Sequence, residues 1–362
     1  MSSFGTKIHI NLFGESHGKK IGIVINNLPA GIEIDFERIN NELHMRRPKS
    51  NLSTPRSEKD PYEIISGYFN NATTGTPLTF IIPNKDTRSK DYNKDILRPS
   101  HADYTASIKY NNHKDYRGSG HFSGRITTPL VILGSICMQL LEKKGILIGS
   151  HIASIKDKTD TQFSEIELDD KLIKRLKNSD FPVIDSAIEE IYKNEILDAK
   201  KNKDSVGGIV ETAILNLPAG YGEPFFHSIE STIAHLIYSV PAVKGISFGK
   251  GFDITKLFGS EANDQFGIRD NNVVTLTNNS GGINGGISNG MPITFKTAIK
   301  PTSSIGKAQK TVDLSSMKET SLELEGRHDP CIVHRVIHVI NAVTAYAITE
   351  IISREEGTKW MI

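Results

Sequence analysis

The chain has 362 residues, of which 37% are hydrophobic, and it carries 43 Lys and Arg residues against 42 Asp and Glu residues. A chain of this length can form one large domain or two ordinary ones, with a core that needs no disulfide or structural metal. Its net charge of +1 excludes a general attraction to nucleic acid or anionic lipid, so an acidic ligand would need a local cluster of cations.

The sequence gives no sign of export or membrane insertion. Its first residues lack a cationic segment followed by a long apolar run, which a secretory signal requires. The apolar stretch 129–141 is shorter than the roughly 20 residues that span a bilayer. We therefore expect a cytoplasmic protein with no membrane partner and no nucleic-acid partner.

Two similar segments predict an internal duplication. NLPAG occurs at 27–31 and again at 216–220, and GTPLTF at 75–80 resembles GMPITF at 290–295. In each copy a strand pattern ends in a Pro-Ala-Gly turn and a helical pattern follows. We expect repeats at about 20–85 and 206–300 within a single domain, 1–362, although short Pro/Gly strings can also match by chance.

Helical spacing of apolar residues predicts five main helices. Two lie in the repeats, over Phe36 to Leu43 and Ile229 to Ile237, and are stopped by Pro48 and Pro241. The others cover 127–142, 182–200 and 330–353, the second with a stripe of Ile184, Ile188 and Ile191. The charged segment 156–203 indicates a solvated excursion. Together these elements predict an α+β fold, a layered β-α-β sandwich built from two related strand-turn-helix-strand units.

The first candidate sites are basic residues near the start of the chain. His17 lies in GESHG, 14–18, where it could act as an acid or base at a strand end, or simply stabilise a turn. Arg46 ends the first helix, where its guanidinium could bind a carboxylate or phosphate, or cap the helix. Each pattern alone is weak.

A second group combines cations with glycines. Arg98 and His101 precede YRGSGHFSGR, 116–125, which ends in Arg125. Glycines spaced before a predicted helix allow backbone amides to hold an anion, and a glycine-rich surface loop is the alternative. The spacing does not match the dinucleotide-binding fingerprint.

The last group lies near the C-terminus. A glycine ladder at 279–290, KPTSS at 300–304 and GRHDP at 326–330 could line a slot for a flat, phosphate-bearing cofactor. The segment is not a Walker A loop, and no metal-ligand spacing occurs in the chain. Asp329 before Pro330 also fits the start of a helix, with Asp as N-cap.

Ordered blocks along nearly the whole chain resemble those of the chorismate synthase family. They include FGESHG, RPSHADYT, DYRGSG, NNSGGINGGISNG, KPTSSI and GRHDPC. The resemblance implies a lyase that removes phosphate from 5-enolpyruvylshikimate 3-phosphate by anti 1,4-elimination and gives chorismate, the last step of the shikimate pathway. It also implies a requirement for reduced FMN and a homotetramer, to which an exposed apolar stretch at 146–155 could contribute an interface.

The resemblance also assigns roles to residues. Catalysis would involve His17 at the flavin pyrimidine edge, His101 beside the departing phosphate, and Asp329 at flavin N5. Substrate anions would be held by Arg46, Arg98, Arg125 and Arg327. The flavin would be lined by His121, Phe122, Ser123, Pro241, Ala242, Gly285, Lys300, Pro301, Thr302, Ser303, Ser304 and Arg327.

Three positions depart from the usual family pattern. His121, Phe122 and Leu52 stand where an arginine, a serine and a second arginine are common. The lack of a dinucleotide fingerprint favours an external supply of reduced flavin over its reduction by a nicotinamide cofactor such as NADP. A phosphoryl-transfer enzyme and a non-catalytic flavin- or nucleic-acid-binding protein are the alternative functions.

Overall fold

The fold is given by a computed structural model, which describes residues 2–48, 52–53, 59–87, 92–324 and 329–362. Its helices are α1 (Phe36–Arg46), α2 (Asp103–Lys109), α3 (Thr128–Lys143), α4 (Asp170–Lys177), α5 (Ser186–Lys201), α6 (Ile229–Ser239), α7 (Gly259–Ala262) and α8 (Val333–Glu356). Two 3₁₀ turns, Arg117–Phe122 and Gly124–Thr127, precede α3.

The first half of the chain contributes the strands β1 (Ser3–Phe4), β2 (His9–Gly14), β3 (Lys20–Asn26), β4 (Glu63–Ser66), β5 (Tyr68–Phe69), β6 (Ala72–Thr73), β7 (Leu78–Pro83), β8 (Leu147–Ile155) and β9 (Lys158–Thr159). The second half contributes β10 (Gly208–Leu215), β11 (Val243–Phe248), β12 (Phe266–Arg269), β13 (Asn272–Thr275), β14 (Ile283–Asn284), β15 (Ile287–Ser288), β16 (Ile293–Ile299), β17 (Gln309–Asp313) and β18 (Lys318–Leu322).

Two five-stranded antiparallel sheets enclose a layer of helices. Their strand orders are β1-β2-β3-β7-β4 and β11-β16-β10-β8-β9. Helix α3 contacts β3 in the first sheet and β8 in the second, and α8 packs against α1, α3 and α6 in the same layer. The predicted α+β class is therefore confirmed, and helices α1, α3, α6 and α8 form the layer between the sheets.

Helices α1, α3 and α6 confirm the helical patterns of the sequence, and the first and last end before Pro48 and Pro241. The C-terminal helix, by contrast, begins at Val333 with Ile332 as its N-cap, so the alternative role of Asp329 as an N-cap is wrong. The segment before α8 is held by tertiary bonds: the Pro330 carbonyl accepts from the Val206 N–H at 2.8 Å. Those bonds keep it out of the helix.

The predicted stripe on α5 is right for Ile188, which packs against the main core, and wrong for its other two members. Asp185 caps this helix by accepting from the Ala187 N–H, so Ile184 precedes the helix, and Ile191 is 44% exposed. The buried face carries Tyr192, Ile196 and Ala199. The apolar periodicity correctly predicts a helix here, but the face that packs on the core is the one that carries Tyr192.

The charged segment 156–203 is not simply a solvated excursion. It contributes Phe163, Ile173 and Leu176 to a small second core against the back of the sheet. Strand β8 covers all but the first residue of the apolar stretch 146–155 and is buried along its whole length, and Ile146 is buried as well. The expectation that this stretch could form an exposed interface is therefore wrong.

Two helical segments are long and apolar enough to cross a membrane, Arg117–Lys143 and Val333–Glu356. Almost all of their apolar residues are buried between the two sheets. In this fold, their hydrophobicity is accounted for by the core.

Helices α3 and α8 run parallel and approach each other closely. Lys144, just beyond the end of α3, pairs with Glu356 at the end of α8 at 2.9 Å. In the middle of the pair, a Cβ added to Gly134 would lie only 2.3 Å from Cα of Ala342. The contact therefore requires a glycine on α3, and it aligns the N-terminal ends of both helices.

We predict that Gly134→Ala lowers the free energy of unfolding by about 2 kcal/mol, because overpacking forces the two helices apart. Helix propensity alone would give the opposite sign, since Ala stabilises a helix interior relative to Gly. Urea denaturation measures the difference. Gly259→Ala is the control, because no atom lies within 4 Å of an added Cβ at that position, and its stability should be unchanged or slightly higher.

Candidate active site

The N-terminal ends of α3 and α8 meet beside the loop that carries His101. Arg46, the last residue of α1, donates through Nη2 to the Gly124 carbonyl at 2.7 Å and to Thr127 Oγ1 at 3.0 Å. Arg335, in the first turn of α8, donates to the backbone carbonyl of Arg46 at 3.4 Å. Two aligned helix N-termini place partial positive charge at this end of the molecule, which favours anions.

His101 is contacted at both ring nitrogens. Its Nδ1 lies 2.8 Å from the Ala102 N–H and 3.3 Å from Asp103 Oδ1. Its Nε2 lies 3.1 Å from Oγ of Ser119, in the turn before α3. The imidazole is thereby fixed, while 20% of the side chain remains exposed. It is placed to exchange a proton with a ligand.

Arg98 forms a two-pronged pair with Asp103, from Nε at 2.8 Å and Nη2 at 2.7 Å. Burial by itself would raise the pKa of Asp103, but hydrogen bonds from Arg98 and His101 outweigh it and hold that pKa well below its usual range. Asp103 is therefore a permanent anion beside the imidazole.

A cavity of about 350 Å³ opens next to this pair. Its lining includes Tyr92, Arg98, Asp103, Lys114 and Tyr116. This volume suits a small metabolite. Its charged lining suits a ligand with anionic groups.

His17 reaches the same turn from the end of β2. A Cβ at Gly118 would lie 2.4 Å from the His17 ring, so only glycine permits this packing. Tyr92 meets the ring edge-on, with centroids 5.4 Å apart. Gly118 thus packs against His17, and the next residue, Ser119, contacts His101, so one short segment touches both histidines.

Arg125 is largely buried and bound to protein groups. It pairs with Asp60 through Nη1, and its Nε donates to Asn84 Oδ1 at 3.0 Å. Leu52, where the family commonly has arginine, is packed in the hydrophobic core. The structure thus brings Arg46, Arg98 and Arg125 to one region, but only Arg98 lines the described cavity.

The KPTSS segment joins the same region from the second sheet. Lys300 Nζ donates to the Ser100 carbonyl at 2.7 Å and to Ser303 Oγ at 3.0 Å, which links it to the residue before His101. Burial, with a smaller effect from Lys244, lowers the pKa of Lys300. Thr302 Oγ1 donates to the Asp329 carbonyl at 2.8 Å, and Arg335 donates to the Asp329 carboxylate at 2.6 Å.

The remaining predicted cofactor residues are spread more widely. His121 is exposed and contacts the Gly14 carbonyl and Ser2 Oγ, each at 2.8 Å. Phe122 is 39% exposed, with its ring 6.3 Å from that of Tyr110. Ser123 accepts a hydrogen bond from the Arg125 N–H at 3.2 Å.

The Ala242 carbonyl accepts from the Lys300 N–H at 3.0 Å, so Pro241 and Ala242 lie beside the KPTSS segment, which also includes Pro301 and Ser304. Gly285 lies elsewhere: its neighbour Gly286 accepts from the N–H of Ile229, at the start of α6. Helix α6, about 16 Å long, separates that point from Ala242. Arg327 lies outside the described residues.

Several residues of the site were not assigned from the sequence. Asp103 and Ser119 lie inside quoted blocks, but nothing in their spacing showed that they bracket His101. Arg335 lies six residues after Asp329, and only the displaced start of α8 brings their charges together. A search for acids near each proposed basic residue would have found Asp103.

Comparisons with known proteins identify the family to which the chain belongs. Residues 8–352 match the family model described as chorismate synthase. Chorismate synthases of Thermococcus kodakarensis and Pyrococcus abyssi are 41% and 44% identical, over 99% and 96% of both chains. A solved structure entitled Crystal Structure of Chorismate Synthase superposes with a TM-score of 0.76 at 27% identity, and the match covers 98% of this chain and 94% of that one.

We predict that Asp103→Asn lowers the free energy of unfolding by roughly 2 kcal/mol at pH 7, because Arg98 loses a charged acceptor. A carboxylate with a depressed folded pKa stabilises the fold above its unfolded pKa, near 3.8, and this contribution is lost as pH falls further. The difference in stability between the two proteins should therefore begin to narrow below about pH 4 and keep narrowing as the pH falls toward the much lower folded pKa. Urea denaturation from pH 7 to pH 3 measures this.

The control for that experiment is Asp253→Asn, because the Asp253 side chain is 73% exposed and pairs with a similarly exposed Lys256. Exposed pairs contribute little to stability. A gap for Asp103→Asn that stays constant down to pH 3 would contradict the proposed charge dependence.

Proposed function

Because the chain belongs to the chorismate synthase family of carbon–oxygen lyases, we propose that it converts 5-enolpyruvylshikimate 3-phosphate into chorismate and inorganic phosphate by anti 1,4-elimination, with reduced FMN as its cofactor. The observation that carries the proposal is the convergence of His17, His101, Arg98 and Lys300 beside the N-terminal ends of α3 and α8. The family consists of soluble biosynthetic enzymes, and we therefore propose that the reaction takes place in the cytoplasm.

The substrate has two carboxylates and a phosphate, so its binding needs several fixed donors. We assign this role to Arg46, Arg98 and Arg125, with Arg327 as a further candidate. Support is strongest for Arg98, which lines the cavity together with Lys114. Arg46 donates to the Gly124 carbonyl in the turn before α3, and Arg125, which belongs to that turn, anchors it to Asp60 and Asn84, so both support the anion site by holding the turn in place.

The described residues fit a bound flavin. Ser16 Oγ, next to His17, is fully buried and has no hydrogen-bond partner among the residues that the structure describes. Lys300 and Ser303 supply donors suited to phosphate or carbonyl groups. When bound, reduced FMN supplies electron density to the substrate ring and accepts the hydrogen that leaves it.

The proton-handling groups of the chain itself are His101, His17 and Asp329. His101 is assigned to the departing phosphate, since Arg98 and the cavity lie beside it. His17 is assigned to the flavin pyrimidine edge and Asp329 to N5. The Asp329 carboxylate is held at 2.6 Å by Arg335, which fixes the orientation of that group.

An internal duplication is consistent with the strand pairing. In the first half β3 pairs with β7 antiparallel, and in the second half β10 pairs with β16 in the same way. In each case a helix of 11 residues, α1 or α6, lies between the two strands in the chain. We propose that both units descend from one ancestral unit and that 1–362 form a single domain.

The proposed function is tested by anaerobic incubation of the purified protein with reduced FMN and 5-enolpyruvylshikimate 3-phosphate. We expect stoichiometric chorismate and inorganic phosphate. Transfer of the phosphoryl group to an acceptor would instead support a transferase, and binding of FMN without turnover would support a non-catalytic flavin protein. Adding NADPH to oxidised FMN tests our expectation that reduced flavin must be supplied from outside.

In that assay, His101→Ala, His17→Ala and Asp329→Asn should each lower kcat by roughly 10²-fold or more, because each removes a proton-transfer group. Their melting temperatures should stay near that of the wild type. His113→Ala is a matched control, since His113 is exposed on the loop after α2. Full activity of any of the three variants would remove the role assigned to that residue.

We also propose a homotetramer. The β12–β13 hairpin exposes Phe266, Ile268, Val273 and Leu276, each between 64% and 73%, and Phe258 nearby is 79% exposed. Such an apolar surface is characteristic of an interface between protein chains. Because Ile268 faces Val273 across the hairpin, the two residues share one face of it.

We therefore predict that Ile268→Lys combined with Val273→Glu lowers the mass of the assembly, as measured by native mass spectrometry, because burying two charges in an apolar interface is unfavourable. The control is Ile191→Lys, at an exposed apolar residue of α5, which should leave the mass unchanged. A tetramer that persists in the double variant would exclude the hairpin as an essential interface.

A further inference from the structure

The cavity beside His101 contains a lysine that is bound to a backbone carbonyl and to no carboxylate. Lys114 lines this cavity and is partly buried. In the described part of the chain, its only hydrogen bond goes to the backbone carbonyl of Asp103. An ammonium group has three N–H donors, so two remain for a ligand. A cation that loses part of its hydration is stabilised when an anion takes the place of the lost water.

The other charged residues that line the cavity are paired or exposed. The carboxylate of Asp103 is neutralised by the two-pronged bond from Arg98. Glu323 belongs to an exposed ion pair of its own. Lys94 is exposed, so water and salt screen its charge. Among the described residues, Lys114 is therefore the cation that gives the interior of this cavity its attraction for an anion.

Arg98 alone is poorly suited to hold a doubly charged group. Its Nε and Nη2 donate to Asp103, whose negative charge offsets that of the guanidinium. The ring of Tyr92 lies against the guanidinium, with Cζ 5.4 Å from the ring centroid, and fixes its orientation. Only Nη1 is left without a partner among the residues that the structure describes. A phosphate group, which carries close to two negative charges at neutral pH, therefore needs a second cation here.

The surroundings of the ammonium group support this role. Burial is the main cause of the lowered pKa of Lys114; attraction to Asp103 opposes it, and repulsion by Arg98 adds to it. A bound anion would stabilise the charged form. Asp103 also contacts His101, with Oδ1 3.3 Å from Nδ1. An anion held by Lys114 is thus close to the imidazole that we assign to the departing phosphate.

We propose that Lys114, together with Nη1 of Arg98, binds the phosphate group of the ligand in this cavity. The choice of ligand rests on the proposed function: it is 5-enolpyruvylshikimate 3-phosphate before the elimination and inorganic phosphate after it. Because the ammonium group contacts the phosphate both before and after the C–O bond breaks, Lys114 contributes to binding more than to the rate of the chemical step. An ammonium group is a compact point charge, which suits a phosphate that moves as it leaves.

The variant Lys114→Met tests this by removing the charge. In the anaerobic assay with reduced FMN, we expect the KM for 5-enolpyruvylshikimate 3-phosphate to rise roughly tenfold or more, with kcat changed less than about threefold. Lys114→Arg should recover most of the affinity, because it restores the cation. Lys114→Gln is a second variant without the charge, and it keeps a hydrogen-bond donor. Lys109→Met is the matched control, since Lys109 is exposed at the end of α2 and its variant should keep the wild-type KM.

The dephosphorylated compound 5-enolpyruvylshikimate distinguishes contact with the phosphate from contact with a carboxylate. Its inhibition constant should be the same for the wild type and Lys114→Met. The inhibition constant of inorganic phosphate should instead rise in parallel with the KM. If Lys114 only held the Asp103 carbonyl in place, its loss would affect both inhibitors alike. Equal weakening of the two inhibitors therefore overturns the assignment of Lys114 to the phosphate.

An unchanged KM in Lys114→Met also overturns the inference, and it leaves the proposed function intact. A wild-type protein that yields no chorismate overturns the proposed function instead. The phosphate site is then tested by Tm in the presence of inorganic phosphate alone, because a ligand that binds the folded state raises Tm. A rise that is lost in Lys114→Met and kept in Lys109→Met supports the site. An equal rise in all three proteins overturns it.

Discussion

The close contact between α3 and α8 at Gly134 is the constraint on which the rest of the molecule depends. Without a side chain at that position, two buried helices can lie against each other while each also packs on the surrounding layers. Parallel helices side by side bring like ends of their dipoles together, which is unfavourable unless other groups compensate. Here the buried apolar surface between two sheets holds them, and their N-terminal ends form one electropositive edge.

The candidate site lies at that edge because the chain enters both helices through irregular segments. The turns before α3 carry three successive residues with positive φ, and the segment before α8 is fixed by Thr302 and Arg335. These segments lack the regular hydrogen bonds of helix or sheet, so side chains and ligands can use their backbone groups. The rigid helix pair fixes the positions of the two segments relative to each other. Small, highly charged groups can be positioned only if those segments are held precisely.

The sequence predicts more of the fold than of the candidate site. Helices α1, α3 and α6 have strong apolar periodicity and clear stop signals, so their positions followed from local rules. The buried face of α5 did not, because Tyr192 and Ile191 both fit a helical stripe and only the tertiary environment selects between them. Likewise, His101 was recognisable from its block, whereas Ser119 and Asp103 became partners only through folding of the loop around the ring.

The near-equal numbers of cationic and anionic residues in the sequence are matched at this site by pairs of arginine and carboxylate. Arginines here have acidic partners: Arg98 with Asp103, Arg117 with Asp115, and Arg335 with Asp329. Several guanidinium groups can thus lie close together without strong mutual repulsion, and each is ordered before a ligand arrives, which reduces the entropy lost on binding. A trianionic ligand must then compete with fixed carboxylates for the same donors. Selectivity follows from this competition, because a ligand with fewer or misplaced anionic groups would gain too little to displace or share those bonds.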